Sequence, residues 1–128
     1  MSDEREKSDG GALRGRTKAF AVRIIRLYGA LPKSSAAQVI GKQVLRSGTS
    51  VGAHYREAQR SRSRAEFISK VEVAIQELEE SDYWLDLLIK CEIVAIRRLQ
   101  DLKQEVCELL AMLTASVRTV KRNTKKPS

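Results

Sequence analysis

The sequence predicts an all-α protein, an antiparallel up-down four-helix bundle, and three observations carry that prediction. Four stretches place apolar residues at helical spacing, short breaks separate them, and only two prolines occur in 128 residues. Pro32 falls between two of those stretches rather than inside one. A chain of this length is one domain's worth and buries a single core. Residues 16–120 are assigned to the bundle and residues 121–128 to a basic C-terminal tail. Residues 1–15, polar and carrying Gly10-Gly11, are assigned to a disordered N-terminal lead.

The first helix is expected over about 16–30, with Phe20, Ile24, Leu27 and Leu31 along one core-facing stripe. Leu31-Pro32-Lys33 ends it, because the residue before proline resists the α region. The second helix starts at Ser35 with Gln38 three residues on, a capping-box pattern that satisfies orphan amides. It runs to about residue 60 along Ile40, Val44, Ser47, Val51, Tyr55 and Ala58. Ser63 and Glu66 form another capping box and open the third helix, which reaches about residue 91. Its stripe of Phe67, Val71, Ala74, Leu78, Ser81, Leu85 and Leu88 alternates spacings of four and three. That heptad calls for long contact at a shallow crossing angle. Residues 92–96 make a short, poorly capped apolar connection. The fourth helix, about 97–120, carries Leu99, Leu102, Val106, Leu109, Leu113, Val117 and Val120. Helices of about 25 residues span roughly 37 Å, and short connections between them make neighbours antiparallel.

Charge is unevenly spread, and its distribution says more than the net +8. Residues 14–64 hold 12 Lys/Arg against one acid, whereas residues 65–92 hold 8 acids against 2 Lys/Arg. A basic half therefore meets an acidic helix, and the surplus positive charge suits an anionic partner. On the exposed side of the second helix lie Lys42, Arg46, Arg56 and Arg60, followed at the corner by Arg62 and Arg64. With Lys121 and Arg122 of the tail they form a candidate surface for a phosphate backbone. The alternative for part of the set is pairing with the third helix, above all Arg46 with Glu77 or Glu80. No aromatic platform for stacking bases is visible, which argues against sequence-specific reading of single strands.

Two further faces are left over by a single core. Val73, Trp84, Leu87 and Cys91 lie roughly 100–160° from the heptad stripe of the third helix, beside Glu77 and Glu80. An apolar strip with a Trp outside the core marks a partner surface. In the second helix Gly41, Gly48 and Gly52 share a face with Leu45. Each internal glycine costs about 0.5–1 kcal/mol relative to alanine, so three on one side imply a close helix approach. Gly41, Gly48, Gly52, Val73, Glu77, Trp84 and Leu87 are accordingly expected at an oligomer interface.

Catalytic constellations are absent. His54 is the single histidine, with no nucleophile at a recognisable spacing, and reads as structural. The carboxylates Glu72, Glu79 and Glu80 lack the Glu-x-x-His of a di-iron bundle, and residues 48–52 lack the Gly-Lys-Ser/Thr of a P-loop. Cys91 and Cys107 stand apart from each other and from any metal-ligand grouping, so no metal is expected and the thiols read as structural in a reducing cytosol. No cofactor is expected either. No stretch is apolar for the roughly 18 residues a membrane span needs, and a cytoplasmic location is expected.

The block from Gln43 to Ala58, with Arg46-Ser47-Gly48-Thr49-Ser50-Val51-Gly52-Ala53 at its centre, resembles one family. So do Leu31-Pro32-Lys33, Glu66-Phe67-Ile68, Glu77-Leu78-Glu79-Glu80 and Tyr83-Trp84-Leu85. The family comprises four-helix bundle proteins encoded in intervening sequences of bacterial 23S ribosomal RNA genes, and the resemblance covers about residues 17–118. It implies a left-handed up-down bundle that assembles into a ring-shaped homopentamer. The related accessory variability determinant of diversity-generating retroelements shares that architecture and binds nucleic acid through a basic surface. Family members usually carry Asn where this chain has His54. Together these readings lead to a non-enzymatic homo-oligomer that contacts RNA or DNA without sequence specificity, with a protein encoded nearby as a further candidate partner. The alternative is a structural protein–protein interaction module.

Overall fold

The computed structural model describes residues 2–125, with side chains described for residues 10–123; the prediction for residue 1 and for residues 126–128 of the tail lies outside the described residues. Four helices account for it: α1 (Ser2–Ala30), α2 (Ser35–Gln59), α3 (Arg64–Lys90) and α4 (Ile96–Lys125). Each helix packs against two others in a closed cycle, α1 on α2, α2 on α3, α3 on α4 and α4 back on α1. The α2–α3 contact is the most extensive and the α1–α4 contact the slightest. Pairings across each contact run in opposite senses. Gly41, Gly48 and Gly52 of α2 meet Leu31, Ile24 and Thr17 of α1, and Arg46 and Lys70 join α2 to α3 at Glu77 and Glu57. Lys103 and Lys121 reach back along α3 to Asp82 and Glu72. Consecutive helices are therefore antiparallel.

The predicted stripes are the core. Phe20, Ile24, Val44, Val51, Val71, Leu78, Leu85, Leu109 and Leu113 are fully buried, while Leu27, Ile40 and Phe67 pack at its edge. Two polar residues sit inside the heptads, where the hydroxyls of Ser47 and Ser81 lie 2.8 Å apart. Ser81 has the Glu77 carbonyl at 2.9 Å and Ser47 the Val44 carbonyl at 3.5 Å, so either hydroxyl can donate across the pair while the other donates to the backbone. Both hydroxyls are thus satisfied, as buried polar groups must be.

α1 reaches well beyond the expected start near residue 16. Leu13 and Thr17 continue the Phe20 stripe by helical spacing and are buried. The Thr17 hydroxyl is satisfied by the Leu13 carbonyl at 2.8 Å. Gly10 and Gly11 do not break the helix, and Gln59 of α2 donates to the Gly10 carbonyl at 3.2 Å. At the other end α4 runs to Lys125, so residues 121–125 of the expected tail continue the helix.

Caps fix the turns. The cap of α2 is Ser34, one residue before the expected Ser35, accepting from the Ala37 amide at 3.4 Å. Gln38 is drawn instead to the Pro32 carbonyl and the Tyr28 hydroxyl, which ties the α1–α2 turn together. Ser63 caps α3 as expected, accepting from the Glu66 amide at 3.0 Å. α3 ends in a Schellman motif, in which the amides of Glu92 and Ile93 donate to the carbonyls of Ile89 and Leu88. That geometry puts Glu92 at φ 57°, a left-handed conformation that costs an L side chain about 1–2 kcal/mol. Glu92→Gly is therefore expected to raise stability by about 1 kcal/mol, read as a higher denaturant midpoint at unchanged slope.

Candidate nucleic-acid interface

The sequence-predicted basic residues separate into two groups once the helices are folded. The α2–α3 corner carries Arg60, Arg62 and Arg64, and the end of α4 carries Lys121 and Arg122. A bond from the Arg64 guanidinium to the Asn123 carbonyl, 3.3 Å, brings those two segments to the same end of the bundle. Arg56 lies one turn up α2 on the same outward face. All six are exposed. Among the described residues Arg56, Arg60, Arg62 and Arg122 make no ion pair, and Lys121 reaches only Glu72, at 3.9 Å.

Lys42 and Arg46 stand apart from this end. Lys42 is roughly 27 Å from Arg60 along the helix, at 1.5 Å per residue. Arg46 is engaged by the acidic helix, with Glu77 at 3.2 Å and Glu80 closer still. Glu80 also accepts from the Trp84 indole at 3.1 Å. An arginine holding two carboxylates presents little net charge to a phosphate, so Arg46 belongs to the α2–α3 contact rather than to the basic end.

Acids near the basic end are partly committed. Lys70 bonds Glu57 and holds its carboxyl below the ordinary carboxylate range, and Glu66 accepts from the Arg62 amide at 3.3 Å. Between the arginine corner and α4 opens a recess of about 510 Å³ that Tyr55, Phe67, Met112 and Thr119 help to line. His54 is half-buried and lies 4.0 Å from Glu57, on the flank of α2 that faces α3.

The glycine face does not point outward. A Cβ on Gly41 would come within 2.6 Å of Leu31, one on Gly48 within 2.8 Å of Ile24, and one on Gly52 within 3.2 Å of Thr17. The close helix approach is real, but its partner is α1 of the same chain. Gly41, Gly48 and Gly52 therefore leave the expected oligomer interface. The reason is topological: nothing in the spacing of α2 says which helix lies on its small side. The other expected interface residues stay at the surface. Val73, Glu77, Trp84 and Leu87 are half-buried along α3. Tyr83, 56% exposed, meets Trp84 edge-on at 5.0 Å between ring centres. Val39, 64% exposed, lies two turns along α2 from Arg46 and so on the same flank.

The link that closes the bundle has no counterpart among the sequence-predicted residues. Arg16 of α1 bonds Glu105 at 2.5 Å and Glu108 at 2.9 Å on α4. Its bond holds the Glu108 carboxyl below the ordinary range. No helix is long and apolar enough to cross a membrane, and no grouping of His, Cys, Asp and Glu fit to hold a metal occurs among the described residues.

Residues 14–115 match the family model described as 23S rRNA-intervening sequence protein. A crystal structure from Bacteroides thetaiotaomicron, described as a protein with unknown function from the S23 ribosomal protein family, superposes with a TM-score of 0.82 at 36% sequence identity. The match covers 86% of this chain and 98% of that one. No curated protein matches the sequence.

Proposed function

The chain belongs to the 23S rRNA-intervening sequence protein family, and from that premise we propose that it is a non-enzymatic, self-associating accessory protein of the cytoplasm that holds RNA or DNA by the backbone. The observation that carries this reading is the convergence of Arg60, Arg62, Arg64, Lys121 and Arg122 at one end of the bundle. Exposed guanidinium groups without carboxylate partners, joined by the loosely paired Lys121 ammonium, bind phosphate and release counterions, whatever the base sequence. The homo-oligomer is a ring, a pentamer by the family resemblance. Its subunits meet along the α2–α3 flank, where Val39, Tyr83, Trp84 and Leu87 leave apolar surface beside Glu77 and Glu80.

Gel-shift titrations with a generic structured RNA test the binding. Replacing Arg56, Arg60, Arg62, Arg64, Lys121 and Arg122 with Gln is expected to weaken binding uniformly across sequences. The log–log salt slope should shrink by about 0.7–0.9 for each phosphate that is no longer neutralised. Folding should hardly change, since exposed ion pairs contribute roughly 0–1 kcal/mol. A wild type that binds no RNA at low salt overturns the reading. It would favour a module that recruits protein through its apolar flank, with weak salt dependence. For the assembly, Trp84→Ala with Leu87→Ala is expected to lower the sedimentation mass while helicity survives. A wild type that sediments as a monomer at micromolar concentration defeats the self-association.

A further inference from the structure

At the end of the bundle opposite the basic corner, the slight contact between α1 and α4 leaves a groove of about 400 Å³. Arg23 and Arg26 of α1 and Arg98 of α4 line it, over a floor of Leu27, Leu99 and Leu102. Leu99 and Leu102 belong to the core, so the floor is fixed. No carboxylate lines the groove, and none of the three arginines has an ion-pair partner among the described residues. The first turn of α4 beside it carries no acid, which leaves its positive helix end uncompensated. Three like charges brought together from two helices cost energy unless an anion lies among them.

We propose that this groove is a binding site for a small organic phosphate, a phosphomonoester on an apolar or aromatic body. Its volume falls within the range of ligand pockets, roughly 300–1,000 Å³. The guanidinium groups fit the phosphate, because their forked donors match its oxygens in pairs. The leucine floor fits the body, which buries its apolar face there. A polyanion fits less well. Farther along the same seam Arg16 is already held by Glu105 and Glu108, and those carboxylates repel a second phosphate placed in line with the first. The site is separate from the basic end invoked for nucleic acid and shares no residue with it.

Calorimetric titration of the full chain with phenyl phosphate, inorganic phosphate and a mononucleotide monophosphate tests the proposal. Phenyl phosphate is expected to bind saturably, and more tightly than inorganic phosphate because only the former uses the floor. The mononucleotide, if it binds with similar or greater strength, identifies the natural body as a nucleoside; if it binds more weakly, the body is a smaller apolar group. Arg23→Gln, Arg26→Gln and Arg98→Gln together should weaken phenyl phosphate about tenfold or more while the melting curve stays in place. Should the triple variant melt early, Arg98→Lys alone serves: it keeps the charge, removes the fork and should still weaken binding. The variant with Arg56, Arg60, Arg62, Arg64, Lys121 and Arg122 replaced by Gln should bind phenyl phosphate like the wild type, so the two sites fail or stand independently. Absence of saturable phenyl phosphate binding overturns the proposal. So does equal affinity for inorganic phosphate, indifference to the arginine substitutions, or displacement of phenyl phosphate by single-stranded RNA, which would make the groove a strand contact.

Discussion

Gly48→Leu is expected to destabilise the protein by about 3 kcal/mol or more, measured by chemical unfolding. Even the first added carbon would sit 2.8 Å from one side-chain carbon of Ile24 and 3.0 Å from another. Ile24 is fully buried and has a stiff, branched side chain, so it cannot move aside without disturbing the core cluster it belongs to. Overpacking of this kind typically costs about 1–3 kcal/mol, and leucine adds three more carbons to the collision. Gly48→Ala separates the two contributions. It gains up to about 1 kcal/mol of helix propensity yet should still destabilise, because the collision remains. Gly15→Ala is the control: nothing lies within 4 Å of the added carbon, so only the propensity gain is left. Should Gly48→Ala stabilise as much as Gly15→Ala, the close α1–α2 approach is not there in solution.

Leu13→Ala is expected to cost about 2–5 kcal/mol, the usual range for emptying a buried leucine site. Of a total stability of roughly 5–15 kcal/mol that is a large share. Leu13 is 2% exposed, although residues 1–15 look like a loose lead in the sequence. Arg14→Ala, at an exposed neighbouring position, should stay within about 0.5 kcal/mol. If both substitutions are equally harmless, α1 docks only from residue 16 onward.

Gly48 and Leu13 mark where the sequence was legible and where it was not. The heptads of α3 and the stripes of α2 and α4 were plain because every apolar residue there recurs at helical spacing. Leu13 and Thr17 follow the same period from Phe20. Their signal was masked by Gly10, Gly11 and Gly15, which lower helix propensity without breaking the helix; Gly11 and Gly15 have nothing within 4 Å of an added Cβ, whereas Gly10 lies against Gln59 and Tyr55. The small side of α2 was equally plain as a place of close approach. Its partner was not, since that depends on which helices become neighbours. Arg46 illustrates the same limit: its charge was visible, and its capture by Glu77 and Glu80 needed the α2–α3 register. Arg23, Arg26 and Arg98 lie some 75 positions apart in part, and no local pattern joins them.

The seam between α1 and α4 has a mechanical consequence. Gly10 sits against Gln59 and Asn123 against Arg64, so the first and last helices present their outer ends at the same end of the bundle. A force applied between those two points does not shear long helices past one another. It opens the seam like a zip, loading a few side-chain contacts at a time and meeting the Arg16 link to Glu105 and Glu108 early. The same bundle pulled between the α1–α2 turn and the α2–α3 corner would load α2 along its own axis, so that many backbone hydrogen bonds resist together. The fold is thus compliant in one direction and stiff in the other, by the order in which its helices are strung.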